Sequence, residues 1–203
     1  MLRYVYRLLE DPRVYEFVQM LLGGRRVFRA VRESLSVELA HIRYGNVLEV
    51  GCGTGLTKDC FSGDYTGVDI NPEYIRMGSG KGGGTFLVAD ATSLPFETAS
   101  YDLVVTVGVL HHLDEHERRK MFGEMQRVCR PGGHILIADG LVPSSRMNLL
   151  GYIMAKLDRG RYKMRIEGFQ GMVREAYPGP FSVKFERYNV FPLEFVVAVV
   201  GNG

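Results

Sequence analysis

Five short apolar runs rich in β-branched side chains dominate the middle of this 203-residue chain: VLEV (47–50), YTGVDI (65–70), TFLVAD (85–90), YDLVVTVGV (101–109) and HILIAD (134–139). Such runs suit strands buried on both faces, and most are separated by stretches long enough for a helix. The alternation predicts an α/β fold, a parallel sheet covered by helices on both sides. The clearest crossover helix is Glu115 to Cys129, with Met121, Met125 and Val128 as its apolar stripe. Arg130-Pro131-Gly132-Gly133 ends it and turns the chain into the next strand. At the far end, FSVKFERYNV (181–190) and EFVVAVV (194–200) flank a Phe191-Pro192 turn. So short a connection implies an antiparallel hairpin.

Two amphipathic helices precede the strands. Asp11-Pro12 reads as a cap with proline at the first helical position, and Val14, Phe17, Val18, Leu21 and Leu22 share one face before Gly23-Gly24. A second helix spans about Arg25 to Ala40, with Val27, Phe28, Val31 and Leu35 inward and Arg25, Arg26, Arg29 and Arg32 outward. Between strands and hairpin, residues 144–177 form an insertion with an amphipathic stretch (Met147, Leu150, Ile153, Met154, Leu157) and the basic run DRGRYKMR (158–165).

One domain over residues 1–203 accounts for this length: a helical cap (1–43), a core (44–140), the insertion (144–177) and a closing hairpin (181–200). A formal charge of +2 is too mild to imply a nucleic-acid partner, and a composition 46% hydrophobic and 24% charged is ordinary for a soluble protein. Three cysteines without a CxxC pair point to reduced thiols. The first residues carry charges too early for a signal peptide, and no apolar run reaches transmembrane length. A cytoplasmic location follows as the expectation, with peripheral membrane contact left open.

The segment VLEVGCGTG (47–55) carries the chemistry. A buried strand runs into alternating Gly51, Gly53 and Gly55, after which a helix is expected. Glycine is required where backbone turns sharply and a ligand approaches without a Cβ in the way. The dinucleotide pattern G-x-G-x-x-G is not met, because position 56 is leucine. Asp69 closes the next run at a spacing suited to accepting hydrogen bonds from ribose hydroxyls. Its structural alternative is a cap for a helix starting at Asn71-Pro72. The stretch GSGKGGG (78–84) fails as a phosphate loop, since Lys81 is followed by glycine.

Together these residues resemble the class I S-adenosylmethionine-dependent methyltransferases, of type 11-like pattern. VLEVGCGTG is similar to the family's first motif. GVDINPEYI (67–75), VADATSLPF (88–96), YDLVVTVGVLHHL (101–113) and RPGGHILIAD (130–139) are similar to later motifs in order and spacing. The resemblance covers about residues 44–140. It implies a Rossmann-like, mostly parallel seven-stranded sheet with an antiparallel C-terminal hairpin, and S-adenosyl-L-methionine as cofactor. It further implies that Glu49 and the backbone of Gly51, Cys52 and Gly53 hold the methionine end. Asp69 would take the ribose, Ile70 the adenine face, Asp90 and Ala91 the adenine edge, while Val107 and Gly108 lie near the sulfonium. Asp90 has a competing role as a turn former in DATS.

Methyl transfer from a sulfonium is a direct displacement, and a base is needed only when the acceptor must lose a proton. His111 and His112, at the mouth of the implied pocket, are the candidates for a base or for pocket lining; their alternative is capping the helix that starts near Asp114. His112 and His116 have metal-helix spacing but lack the glutamate of HExxH, so no metal is expected. The insertion, with Arg161, Lys163 and Arg165, suits a small anionic or lipid-like acceptor, or a solvated basic face. Tyr152, Tyr162, Phe169 and Tyr177 either line an acceptor pocket or pack. Two other readings compete: a non-catalytic S-adenosylmethionine-binding regulator or partner subunit, and an NAD-linked oxidoreductase that the glycine spacing disfavours.

Overall fold

The structure is a computed structural model, and it describes residues 25–145, 147–157, 160–179 and 181–201. The helix expected over 12–22 lies outside these residues. In chain order the elements are α1 (Arg25–Leu39), β1 (Asn46–Val50), β2 (Asp64–Asp69), α2 (Pro72–Gly80), β3 (Thr85–Val88), β4 (Tyr101–Val107), α3 (Glu115–Val128), β5 (Cys129–Leu141), α4 (Leu149–Leu157), α5 (Ile166–Ala176), β6 (Ser182–Val190) and β7 (Leu193–Gly201).

The strands form one seven-stranded sheet in the order β3-β2-β1-β4-β5-β7-β6. Neighbours from β3 to β5 pair parallel, and β7 pairs antiparallel with both β5 and β6. The Rossmann-like α/β fold and the closing hairpin are therefore as the sequence implies.

Consecutive strand residues point to opposite faces, and the two cores divide accordingly. Val47, Leu103, Val105, Leu136, Phe195 and Val197 pack with Val31, Leu35 and Leu39 of α1. Leu48, Val104, Ile135, Ile137 and Val196 pack instead with Met121, Met125 and Val128 of α3 and with Phe169 and Val173 of α5. Asp114 opens α3 with a reciprocal capping box to Glu117, which satisfies two backbone donors at the helix start.

Two local expectations need correction. No α-helix follows the glycine loop; a single 3-10 turn at Lys58–Cys60 takes its place. The connection between β1 and β2 ends at Gly63, beneath which Asp64 N bonds Gly45 O at 2.8 Å, so too few residues remain for a stable helix. Pro131 to Gly133 do not precede β5 but bulge within it, since β4 pairs through Tyr101–Cys129 and then Leu103–His134. The amphipathic stretch forms α4, with Leu149, Leu150 and Ile153 exposed, as is Met147 just before it.

Candidate functional site

The carboxyl ends of β1 to β5 reach one edge of the sheet, and the strand order reverses between β1 and β4. Connections leave two such strands toward opposite faces, which is where open α/β sheets accept ligands. The candidate cofactor residues and the two histidines lie at this edge, on the strand ends or on the loops that follow them.

The glycine loop is fastened to β2, with Gly51 N and Cys52 N donating to Val68 O at 2.8 and 2.9 Å. Gly51, Gly53 and Gly55 all take positive φ, but their surroundings differ. A Cβ on Gly51 would stand 2.2 Å from Val109 Cγ2, so the loop after β4 rests directly on the glycine loop. A Cβ on Gly55 would meet the Phe86 ring at 2.8 Å, whereas one on Gly53 would meet nothing within 4 Å among the described residues. Gly53 thus offers bare backbone to whatever lies above it.

Asp69 joins the loop to the end of β2. Its Oδ2 accepts from Gly53 N at 2.9 Å and its Oδ1 from Asn71 N at 2.9 Å. The cap of α2 is Asn71, whose side chain accepts from Glu73 N, so the capping alternative for Asp69 does not hold. An ionised carboxylate offers about four lone-pair sites, and the two bonds leave Asp69 with capacity to accept from a ligand.

Glu49 lies beneath the loop, buried, on the face of β1 shared with Val47. It accepts from Thr57 Oγ1 and, at 2.5 Å, from Tyr65 OH. Burial pushes its pKa up to about 7, against the two hydrogen bonds, and the negative charge of Asp69 pushes the same way. Cys52 is buried beside Gly67, and burial first, then Glu49 and Asp69, raise its thiol pKa so that it stays protonated. Its role at the loop is steric.

At the end of β3, Asp90 Oδ1 accepts from both Thr92 N and Thr92 Oγ1 at 2.8 Å, the turn-forming arrangement weighed above. These bonds hold its pKa below the ordinary carboxylate range. Oδ2 makes no hydrogen bond among the described residues, so turn and ligand roles are compatible. Ala91 packs partly against the core. Ile70 and Val88, 69% and 54% exposed, leave an apolar surface beside Asp69.

After β4, Val107 is half-buried and Gly108, at positive φ, donates to Ala138 O at 2.8 Å. The two candidate histidines then separate. His112 is exposed. His111 is buried, with Nδ1 2.5 Å from Asp139 Oδ1 and its backbone N donating to Asp139 Oδ2 at 3.2 Å. Sequence reasoning assigned Asp139 no role. Its signal was available: like Asp69, it is a carboxylate closing an apolar strand run. Thr57 and Tyr65 escaped notice because nothing in their spacing marks them as partners of Glu49.

In the insertion, Phe169 and Tyr177 are core residues, so of the four aromatic candidates only Tyr152 and Tyr162 stand clear of the core. Tyr162 N donates to His111 O at 3.0 Å, and the Arg118 guanidinium lies 5.7 Å from the Tyr162 ring centroid. A separate cleft of about 500 Å3 lies between α3 and α5, lined by Arg118, Phe122, Met164 and Met172 among others. It shares no residue with the glycine loop, and its Arg119 is already paired with Glu115 and Glu175. The sheet edge, with open backbone and convergent carboxylates, is the better candidate site. Among the described residues no group of three or more His, Cys, Asp or Glu side chains is placed to hold a metal.

Residues 48–137 match the family described as a methyltransferase domain. That stretch, a little under half of the chain, is similar to a methyltransferase domain. The chain is 41% identical over 96 residues to a tRNA (carboxymethyluridine(34)-5-O)-methyltransferase of Arabidopsis thaliana, covering 45% of this chain and 23% of that protein. It is 30% identical over 141 residues to the O-methyltransferase cnsE of Penicillium expansum, covering 64% and 48%. The chain thus spans less than half the length of either relative. A SAM-dependent methyltransferase structure from Methanosarcina mazei superposes with a TM-score of 0.66 at 20% identity, covering 81% of this chain and 96% of that one. At that identity the likeness is one of fold.

Proposed function

We propose that the protein is an enzyme that binds S-adenosyl-L-methionine at the carboxyl edge of β1 to β4 and transfers its methyl group to a small-molecule acceptor. The observation that carries this reading is the open backbone face of Gly53 beside Asp69. A nucleoside can approach there without meeting a Cβ, and its ribose hydroxyls find a carboxylate with unused lone pairs. Exposed Ile70 suits one face of adenine, and Asp90 Oδ2 suits an amino group at its edge. These residues fit the cofactor's chemistry, which is apolar at adenine, hydroxylic at ribose and cationic at sulfur.

In this reading the backbone of Gly51, Cys52 and Gly53 holds the methionine end. Glu49 supports it from below, where a nearby cation favours the ionised carboxylate. Val107 and Gly108 flank the reacting carbon. Bound S-adenosylmethionine supplies an activated methyl group; the protein supplies alignment, which can account for about 7–11 kcal/mol of the barrier. The insertion would supply the acceptor side, since Tyr162 N donates to His111 O in the loop after β4. Both relatives described above methylate oxygen by name, and the same atom type is our reading here. No described helix is long and apolar enough to cross a membrane. With all three cysteines free, we read the protein as cytoplasmic.

Calorimetry with S-adenosylhomocysteine, followed by transfer of labelled methyl across a panel of acceptors, tests the proposal. Micromolar binding and a labelled product are expected. Binding without product across a broad panel supports the regulator reading, and no binding removes both.

A further inference from the structure

We propose that Thr57 and Tyr65 hold Glu49 as a neutral acid in the ligand-free protein, and that Glu49 sheds its proton when the cofactor's ammonium group is held on the glycine loop above it. This inference rests on the methyl-transfer reading and adds to it two positioning residues and a proton in the binding step.

Five carboxyl side chains are buried among the described residues: Glu38, Glu49, Asp102, Asp139 and Glu194. Four of them face a basic side chain, Lys184 for Glu38, Arg130 for Asp102, His111 for Asp139 and Arg187 for Glu194. Glu49 is the exception. It is 1% exposed, and its hydrogen-bond partners are two hydroxyls, Thr57 Oγ1 on Oε1 and Tyr65 OH on Oε2 at 2.5 Å. Lysine, arginine and backbone N–H groups can only donate, which suits a carboxyl in its ionised form. A hydroxyl both donates and accepts. Thr57 and Tyr65 therefore satisfy a carboxylate by donating to it, and a carboxylic acid by one of them accepting from it.

The arrangement is built into the packing. Tyr65 is buried, with its ring centroid 6.0 Å from that of Phe61 and 5.6 Å from that of Phe86. Its hydroxyl uses room left by Gly67, which stands opposite Glu49 in the β1–β2 register. A Cβ on Gly67 would lie 2.8 Å from both Tyr65 Oη and Cys52 Sγ. Cys52 in turn adjoins Gly53, which has the open face. The carboxyl thus borders the inner side of the loop proposed to hold the methionine end.

These surroundings favour the neutral form until a cation arrives. Burial raises the Glu49 pKa to about 7, against the two hydrogen bonds, and Asp69 adds to the rise. Cys52 and Tyr65 also face Glu49, and burial first of all keeps both protonated. Farther out, burial pushes the Cys60 thiol up, Arg32 of α1 draws it back, and Glu49 adds to the rise. A buried negative charge without a partner is costly, and a cation nearby lowers that cost and draws the pKa down. The proton then leaves to solvent, so binding tightens as pH rises through this range.

The test is calorimetric titration of the full chain with S-adenosylhomocysteine, in buffers of different ionisation enthalpy, which counts the protons exchanged. Wild type should release about one proton per ligand near pH 6, and its Kd should tighten about tenfold from pH 6 to pH 8. Glu49→Gln should lose both effects, which separates them from the ligand's own amino group and from the histidines. Tyr65→Phe and Thr57→Val each remove a donor to the ionised form, so the midpoint of the pH dependence should move up. A packing role alone would leave that midpoint in place. Wild-type binding without proton release, or release retained in Glu49→Gln, overturns the proposal and leaves the methyl-transfer reading standing; absence of binding in wild type removes both. Should Glu49→Gln fail to fold or bind, the milder Tyr65→Phe and Thr57→Val decide, and an unmoved midpoint is equally fatal.

Discussion

Replacing Gly53 by alanine should separate ligand binding from folding, if Gly82→Ala is measured beside it. Both glycines have positive φ (54° and 70°), and a Cβ on either meets nothing within 4 Å among the described residues. The folded protein without ligand therefore suffers the same perturbation at both sites, a left-handed backbone imposed on an L-residue, at about 1–2 kcal/mol. For a chain of this size that is a drop in Tm of roughly 2–8 °C, equal in the two variants within error. Binding must differ. Gly53 faces the proposed cofactor and Gly82 lies in the connection between α2 and β3. A methyl group forced into a close-packed contact costs about 1–3 kcal/mol, which is a roughly 5- to 140-fold weaker Kd for S-adenosylhomocysteine. Thermal unfolding and calorimetry on both variants read these quantities. Equal affinities for Gly53→Ala and Gly82→Ala would refute the assignment of the open face above Gly53 to the cofactor.

Other consequences follow from the same geometry. The Glu49 pKa of about 7 in the folded state lies above its unfolded value, so the unfolded chain releases this proton first. Its contribution to stability should fall by roughly 3 kcal/mol as pH rises from about 4.5 to 7, at 1.36 kcal/mol per unit. Glu49→Gln should therefore gain on wild type over that window in urea unfolding, and a constant difference between the two proteins would show that burial of this carboxyl has been misjudged. Asp114→Ala breaks the capping box of α3 and should lose about 1 kcal/mol, read as a Tm lower by roughly 2–4 °C; an unchanged Tm would mean the cap carries no weight. A Cβ on Gly160 would stand 2.0 Å from His111 Cδ2, so Gly160→Ala should force the ring aside and lower Tm, and an unchanged Tm would mean the two do not pack.

The sheet was legible because strands buried on both faces are written as continuous apolar runs, and each such run became a strand, although the run at Thr85–Val88 became the largely exposed edge strand β3. The glycine loop and Asp69 were legible because backbone strain and strand-end position restrict which residues can serve. The missing helix after Gly55 was not, since Leu56 to Phe61 carry no signal that Thr57 will be drawn to Glu49 and Asp64 to Gly45. Helical periodicity in Met147 to Leu157 identified α4, but periodicity reports which residues share a face and not whether anything covers it, and Leu149, Leu150 and Ile153 are exposed. Phe169 and Tyr177 could serve as lining or packing on sequence alone; only the tertiary arrangement puts them under α3. The pairing of His111 with Asp139 spans 28 residues and two strand ends, a proximity that a single sequence does not encode locally.

The most direct test of the account is a crystal structure with S-adenosylhomocysteine bound. The ribose should lie against Asp69, the homocysteine over Gly51 to Gly53, and the sulfur within reach of Gly108. A ligand seated in the cleft between α3 and α5, or bound with Asp69 untouched, would contradict it.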